Sequence, residues 1–191
     1  MTTSPAIHSA ARLTGNKLIL REVEADDAAF ILALRLDPKK SAYISPVEDD
    51  LARQVAWINS YKQGSGQAYF IICDQQLNRL GTVRVYNAIG ASFSWGSWII
   101  ADGAPVDVAM ESALMIYHYA LDHLGFRDSH FEVNRDNRSV WAFHERLFGA
   151  RRVRESDEEY FFELDHAAIL AALQRYRRFL PQPLKVEPLA R

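Results

Sequence analysis

The residue types that could carry out chemistry fall in one stretch in the second half of the chain. An apolar segment, Trp95–Ile100, runs into a loop, Ala101–Asp107, and the loop leads into an amphipathic helix. Because the first backbone N–H groups of a helix have no partner inside it, this helix start could bind an anion such as phosphate. Further along, the run Asn134–Asn137 precedes a short helical segment that carries His144. The sequence therefore indicates an anion-binding loop in the same unit as a polar turn and an imidazole.

The composition argues against several other kinds of function. The 191 residues include 22 Lys and Arg against 24 Asp and Glu, and this net charge of −2 gives no reason to expect nucleic acid. A single cysteine, Cys73, allows no intramolecular disulfide and no cysteine-based zinc site, which fits a reducing, cytoplasmic compartment. His118 and His123 do not share a helix face, so we expect no metal. No apolar run approaches the ~20 residues that a membrane span needs, so we expect no membrane partner.

The hydrophobic pattern predicts one α+β domain over residues 15–179, between a flexible leader at 1–14 and a proline-containing tail at 180–191. A first helix opens at Glu24 and is stopped by Asp37-Pro38. The other predicted helices are Asp49–Tyr61, Val108–Leu124, Arg138–Leu147 and His166–Phe179. The predicted strands are Lys17–Val23, Ala68–Cys73, Leu80–Asn87, Ser92–Ile100, Ser129–Val133, Arg151–Arg154 and Glu158–Leu164. Hairpin-length connections and one strand–helix–strand unit indicate a mixed, mostly antiparallel sheet.

Four segments in this order resemble a known family. They are KLILREVEADDAAFILAL, LGTVRVYN, ALMIYHYALDHLGF and VNRDNRSVWAFHERLFGA. Together they are similar to the GCN5-related N-acetyltransferases (GNAT), in particular to the ribosomal-protein N-terminal acetyltransferases and the amino-sugar N-acetyltransferases. The resemblance runs from about Leu18 to Leu164. It implies the GNAT fold, in which two central strands splay apart and acetyl-CoA lies in the opening.

The resemblance also implies which residues bind acetyl-CoA. They are Trp98, Ile99, Ile100, Gly103, Ala104, Val106, Asp107, Val108 and Asn137. The family's pyrophosphate loop has the pattern R/Q-x-x-G-x-G/A. When residues 102–107 are aligned with this pattern, its two glycine positions are occupied by Pro105 and Asp107. Pro105 has no N–H to donate, and Asp107 brings a negative charge near two phosphates. Either the loop follows another path and still supplies donors, which we favour because the amino-sugar enzymes tolerate proline here, or cofactor binding is weakened or lost.

In the family that the sequence resembles, the position that corresponds to seven residues beyond Asn137 is often a tyrosine, which acts as general acid toward the departing sulfur. Here it is His144, and an imidazole can donate a proton to a thiolate near neutral pH. The segment Leu147-Phe148-Gly149 has one residue more than the family commonly places before this glycine. Transfer to an amine is direct, so no protein nucleophile is needed. Candidates for the general base are Glu132 and Glu111, with a water relay through Ser97 as a third option. Plain structural roles remain open for His144 and for both carboxylates.

The acceptor implied by the resemblance is the primary amine of a small polar molecule. The run TVRVYN…SWGSWII and the proline-containing loop look most like the amino-sugar subgroup, which favours a nucleotide-linked amino sugar. Such an acceptor would suit a closed pocket lined by Tyr43, Arg84, Tyr86 and Trp95. Trp95 and Trp98 are expected on one side of the sheet, as core or as a substrate wall.

Two other functions stay open, namely N-terminal acetylation of a protein in an open groove and acyl-CoA binding without catalysis. The last helix, with Arg175, Arg177 and Arg178, either covers the sheet or pairs with a second subunit, which would give a homodimer.

Overall fold

The computed structural model describes residues 5–180 and 183–190, and its centre is a single nine-stranded sheet. The strands are β1 (Ala10–Thr14), β2 (Leu18–Glu22), β3 (Ala68–Asp74), β4 (Arg79–Ile89), β5 (Ser92–Ile100), β6 (Asp128–Asn134), β7 (Arg151–Glu155), β8 (Glu159–Leu164) and β9 (Lys185–Pro188). They lie in the order β7-β8-β6-β5-β4-β3-β2-β1-β9. β5 and β6 are parallel, and the other neighbouring pairs are antiparallel. The predicted α+β class with a mixed, mostly antiparallel sheet is confirmed.

Helices cover both faces of this sheet. They are α1 (Ala28–Leu36), α2 (Pro38–Ser41), α3 (Leu51–Gln63), α4 (Val108–His118), α5 (Arg138–Phe143) and α6 (His166–Arg175). Aspartate side chains cap three of them, because Asp37 accepts the Lys39 N–H at 2.9 Å, Asp50 accepts the Arg53 N–H at 3.0 Å and Asp165 accepts the Ala168 N–H at 2.9 Å. Single π-helical turns extend α4 over Tyr119–His123 and α5 over His144–Phe148. In the part of the chain that the structure describes, no helix is both long and apolar enough to span a membrane.

Alternating side chains of the strands divide the core into two layers. On one face, residues such as Leu20 and Phe70 pack in the larger cluster that contains the buried side of α4. On the other face, Ile71 and Cys73 pack in the smaller cluster with Ile31 of α1 and Ile58 of α3. Cys73 is fully buried.

Both ends of the chain contribute to the sheet, which corrects the expectation of a leader through Thr14 and a tail after residue 179. β1 pairs with β2 and also with β9, so the two ends form one edge of the sheet. Leu13 is fully buried, and Ile7 is 3% exposed. These strands are short, and β9 pairs only with β1 at the other end of the chain, so local patterns give little sign of this edge. Residues 1–4 of the expected leader and residues 181, 182 and 191 of the expected tail lie outside the described residues.

A close backbone approach fixes β4 against β5. Gly81 pairs with Ile100, and a Cβ atom on Gly81 would overlap the carbonyl oxygen of Ile99 and lie 3.1 Å from the Cα of Ile100. Because the obstructing atoms are main chain, they cannot rotate away. Glycine at this position therefore lets β5 lie close to β4 beside the site described below.

We expect Gly81→Ala to lower the free energy of unfolding by about 1–3 kcal/mol, the typical cost of forcing an extra carbon into a packed region. The measurement is urea unfolding at equilibrium. Gly64→Ala is the matched control, since a Cβ atom there meets only ordinary contacts of 3.4 Å and beyond. Equal stability of the two variants would contradict the close approach.

Candidate active site

The candidate site begins where β5 and β6 separate. These parallel strands pair at two positions only, Ser92 with Asp128 and Phe93 with Ser129, although β5 continues to Ile100 and β6 to Asn134. Beyond Phe93, the β6-facing edge of β5 has no strand partner among the described residues. The predicted splaying of two central strands is therefore present, and it leaves backbone polar groups available to a ligand.

A β-bulge in β5 shapes one wall of this opening. Thr82 pairs with Ile99 and Arg84 pairs with Gly96, so one residue of β4 lies opposite both Ser97 and Trp98. The φ angle of Ser97 is +47°. Trp95 and Trp98 do lie on one side, with ring centroids 5.2 Å apart. In a regular strand, residues three apart point to opposite faces, so the bulge is what brings these two rings together.

A cavity of 270 Å³ occupies the opening and brings most of the predicted site residues together. The four predicted acceptor residues, Tyr43, Arg84, Tyr86 and Trp95, all line it, as do the predicted residues Trp98, Ile99, Glu132, Asn137 and His144. Trp95 offers little surface to a ligand, because it is only 5% exposed. A groove of 580 Å³ lies on the neighbouring face of β6 and β8, but neither His144 nor the unpaired part of β5 lines it. The smaller cavity is therefore the candidate active site.

His144 lies in an apolar, aromatic environment at the base of this cavity. Its ring centroid is 4.4 Å from that of Phe131 and 5.3 Å from that of Trp95, and the residue is 4% exposed. Its Nδ1 atom is buried and has no hydrogen-bond partner. Burial lowers the pKa of His144 to about 3, so the ring is neutral at physiological pH. In the free protein, the imidazole is therefore a neutral hydrogen-bond donor rather than a charged acid.

The π-helical turn that starts at His144 explains the extra residue before Gly149. A π turn accommodates one more residue than an α-helical turn, and Gly149 then ends the helix with a φ of +74°. The insertion is absorbed after His144, and the imidazole keeps its place in the cavity.

Asn137 occupies the first position before α5, but its side chain makes no capping hydrogen bond to the helix backbone. Its Oδ1 accepts a hydrogen bond from the Ser139 hydroxyl at 3.3 Å. Capping therefore does not account for the amide, which lies at the cavity wall.

Glu132 lies on β6 at the cavity wall and is exposed. Its charge helps raise the pKa of Tyr86, second to burial, and the pKa of Glu159, also second to burial. Glu132, Glu159 and Tyr86 therefore form a polar group at one side of the cavity.

Glu111, the other predicted base, is elsewhere. Its buried carboxylate accepts the N–H groups of Lys17 at 2.8 Å and Leu18 at 3.1 Å, and so ties the turn between β1 and β2 to α4. Burial raises the pKa of Glu111, while these donors oppose the increase. The structure does not place Glu111 at the cavity.

The loop between β5 and α4 does not line the cavity, and two of its predicted donors are already used. The Ala104 N–H donates to Ala101 O at 3.3 Å, and the Val108 N–H donates to Pro105 O at 3.1 Å. Both N–H groups are therefore engaged within the loop in this conformation. Gly103, with a φ of +78°, and the fully exposed Val106 remain on the open part of the loop. Ile100 ends β5 just before it.

Lysines neutralise both aspartates of this loop. Lys17 forms an ion pair with Asp107, and Lys40 forms one with Asp102 at 2.7 Å. The hydrogen bond from Lys17 lowers the pKa of Asp107, which stays charged but paired. The negative charge of Asp107 is therefore a smaller obstacle to a nearby phosphate than the sequence suggests.

Arg35, Tyr69 and Glu159 line the cavity but were missed by the sequence analysis. In the sequence, Arg35 is an ordinary position of the predicted first helix and Glu159 an ordinary position of a predicted hairpin. Neither lies in a motif that indicates function. Within residues 5–180 and 183–190, no group of three or more His, Cys, Asp or Glu residues is placed to hold a metal ion.

The buried imidazole predicts a specific acid sensitivity. Between pH 6.5 and about 3, the unfolded chain binds a proton at residue 144 that the folded chain does not, so stability falls as the pH is lowered. His144→Phe removes this proton, and its loss of unfolding free energy between pH 6.5 and 4 should be smaller than that of the wild type by about 3 kcal/mol. Urea unfolding over this range tests it, with the exposed His123→Gln as control. Parallel curves for wild type and His144→Phe would refute the buried neutral state.

Comparison with known proteins agrees with this geometry. A family model of the acetyltransferase (GNAT) domain matches residues 17–148. Among solved structures, apo FdhC, described as a nucleotide-linked sugar GNAT, is 37% identical with a TM-score of 0.79, over 89% of this chain and 98% of that one. A comparison with curated protein sequences gives no significant match.

Two further structures show the fold alone, since their identities are low. A GCN5-related N-acetyltransferase from Brucella melitensis is 15% identical with a TM-score of 0.76, over 95% of this chain and 90% of that one. Spermidine N-acetyltransferase from Vibrio cholerae, in complex with CoA and spermine, is 20% identical with a TM-score of 0.68, over 81% of this chain and 98% of that one. The match of the family model to most of the chain, together with the splayed strands, shows that this chain belongs to the GCN5-related N-acetyltransferase family.

Proposed function

We propose that the protein transfers an acetyl group from acetyl-CoA to the primary amine of a nucleotide-linked amino sugar. The observation that carries this proposal is the cavity between the separated β5 and β6, where the unpaired edge of β5 meets a buried histidine that lacks a hydrogen-bond partner. The identity of 37% with a nucleotide-linked sugar GNAT supports the acceptor class.

The residues present fit acetyl-CoA, which would supply an activated thioester. The free edge of β5 from Trp98 to Ile100 can hydrogen-bond the amides of an extended pantetheine arm, as an added strand would. An N–H group near Ile99 would polarise the thioester carbonyl, and the Asn137 amide would bond the cofactor beside α5. The open part of the loop at Gly103 and Val106, with the start of α4, would face the pyrophosphate.

His144 would act on the departing sulfur as a neutral donor. A neutral imidazole carries one N–H, which can stabilise negative charge as it develops on the sulfur. After the base has taken one proton from the ammonium group, the amine nitrogen would bond to the acetyl carbon as the C–S bond breaks. The nitrogen would then lose a second proton and the sulfur would gain one, and the His144 N–H would stabilise the negative charge on the sulfur until that proton arrives. Glu132 is the candidate base for the incoming ammonium group, with Glu159 beside it.

The occupied amides of Ala104 and Val108 favour one alternative, an acyl-CoA-binding member of the fold without catalysis. N-terminal acetylation of a protein has less support, because the cavity is lined on several sides by half-buried side chains rather than being an open groove.

Calorimetry with acetyl-CoA tests the proposal first, and we expect a dissociation constant well below millimolar. Thiol release should then occur with nucleotide-linked amino sugars in preference to peptides and polyamines. Binding without thiol release for any amine would establish the non-catalytic alternative. Turnover with peptides alone would establish the protein N-terminal acetyltransferase. If acetyl-CoA does not bind at concentrations below millimolar, every function that depends on acetyl-CoA would be refuted.

His144→Phe should lower kcat by roughly 100-fold, a size typical of the loss of a general acid or a positioned donor. Phenylalanine keeps an aromatic ring in the apolar site and removes only the N–H, so the affinity for acetyl-CoA should be retained. Steady-state kinetics and calorimetry measure the two quantities, with His123→Gln as the control. An unchanged kcat would assign His144 to packing.

A further inference from the structure

Two arginines face the acceptor side of the cavity without a counter-ion. Arg35 of α1 and Arg84 of β4 both line it, and neither forms an ion pair with a carboxylate among residues 5–180 and 183–190. The Nε atoms of both are buried and have no hydrogen-bond partner. Both side chains are half-buried, and a partly desolvated charge with an unused donor is stabilised by an anionic partner.

The contacts that hold these arginines are neutral ones. Arg35 donates from Nη2 to the carbonyl of Ser45 at 2.9 Å. The Arg84 guanidinium lies 4.7 Å from the ring centroid of Tyr86 and 5.6 Å from that of Trp57. Its Nη1 donates to the side-chain oxygen of Gln67 at 3.4 Å, a long hydrogen bond. Both groups are therefore positioned by aromatic rings and carbonyl oxygens, and their fork of donors is not used by a carboxylate.

The two charges also act on each other. Burial lowers the pKa of Arg35, and the positive charge of Arg84 adds to this decrease. An arrangement that keeps two like charges together at a cavity wall is stabilised when an anion enters between them.

The same cavity also carries negative charge. Glu132 of β6 and Glu159 of β8 line it together with Arg35 and Arg84. An ammonium group would therefore be attracted to the two carboxylates, and an anionic group to the two guanidinium groups. This polarity suits an acceptor that carries both an amine and an anion, and it disfavours a polyamine, which has no negative group.

We propose that Arg35 and Arg84 form a phosphate-binding subsite that holds the phosphate groups of the acceptor and directs its amine toward Glu132. The identity of the acceptor as a nucleotide-linked amino sugar rests on the proposed function, but the subsite itself requires only phosphate oxygens. Guanidinium groups bind phosphate in two-pronged geometry, which gives orientation as well as affinity. The subsite is a determinant of specificity, since a sugar without phosphate would leave both arginines unpaired.

The test is the binding of inorganic pyrophosphate, uridine diphosphate and thymidine diphosphate to the full chain. Saturating CoA keeps these probes out of the cofactor's own phosphate site. We expect at least one probe to bind the wild type, and Arg35→Gln and Arg84→Gln to weaken it roughly tenfold to a hundredfold each, the size of a lost charge-assisted hydrogen bond. Arg175→Gln, at the exposed end of α6, should leave binding unchanged.

Salt gives a measurement that needs no variant. Because the interaction is between charges, probe binding to the wild type should weaken as ionic strength rises. Failure of all probes to bind, or equal binding by the wild type and both arginine variants, would overturn the subsite. Thermal melting of each variant separates a lost contact from a lost fold.

The proposed function and the subsite can fail separately. If the wild type acetylates no amino sugar but binds pyrophosphate through Arg35 and Arg84, the function fails and the subsite stands. If the wild type acetylates an amine while the arginine variants bind the probes as tightly as it does, the subsite fails and the acetyltransferase function stands.

Discussion

Hydrogen bonding between β5 and β6 stops after two residue pairs, and the candidate site depends on that gap. A continuous sheet would satisfy the backbone of β5 on both edges and leave no room between the strands. The bulge at Ser97 and Trp98 adds a residue to β5 where the strands part, and the absent side chain of Gly81 lets β5 stay close to β4. The sheet thus remains anchored on one side of the gap while the other side opens.

Aromatic side chains of β5 and β6 line the gap around His144, and they determine the chemistry available to its imidazole. The rings of Trp95, Trp98 and Phe131 surround the imidazole and exclude water from most of it. In such a medium the charged form is disfavoured, so the same residue type that would titrate near neutral pH on a surface is neutral here. A neutral donor suits a step in which negative charge appears on sulfur and must be stabilised locally.

Some of the charged groups around the gap are paired with opposite charges and others are not. Acidic residues of the loop before α4 are matched by Lys17 and Lys40, whereas Arg35 and Arg84 are left without carboxylate partners among the residues that the structure describes. The near-zero net charge of the chain therefore conceals local polarity across the acceptor cavity. The pairing at the loop also explains how a sequence with two aspartates there remains compatible with a phosphate-bearing cosubstrate.

Local sequence patterns determined the class of fold and most of its elements, because hydrophobic periodicity, aspartate caps and glycine stops act over one or two turns. Four residues that the sequence analysis singled out, His144, Asn137, Arg84 and Glu132, line one cavity. Local patterns did not reveal the edge formed by β1 and β9, since both strands are short and their mutual pairing joins the two ends of the chain. They left Glu111 as one candidate base beside a structural role, and in the tertiary structure its carboxylate holds the turn before β2. The protonation of His144 and the approach of Arg35 to Arg84 likewise depend on burial and on long-range contacts, and only the tertiary structure decides those.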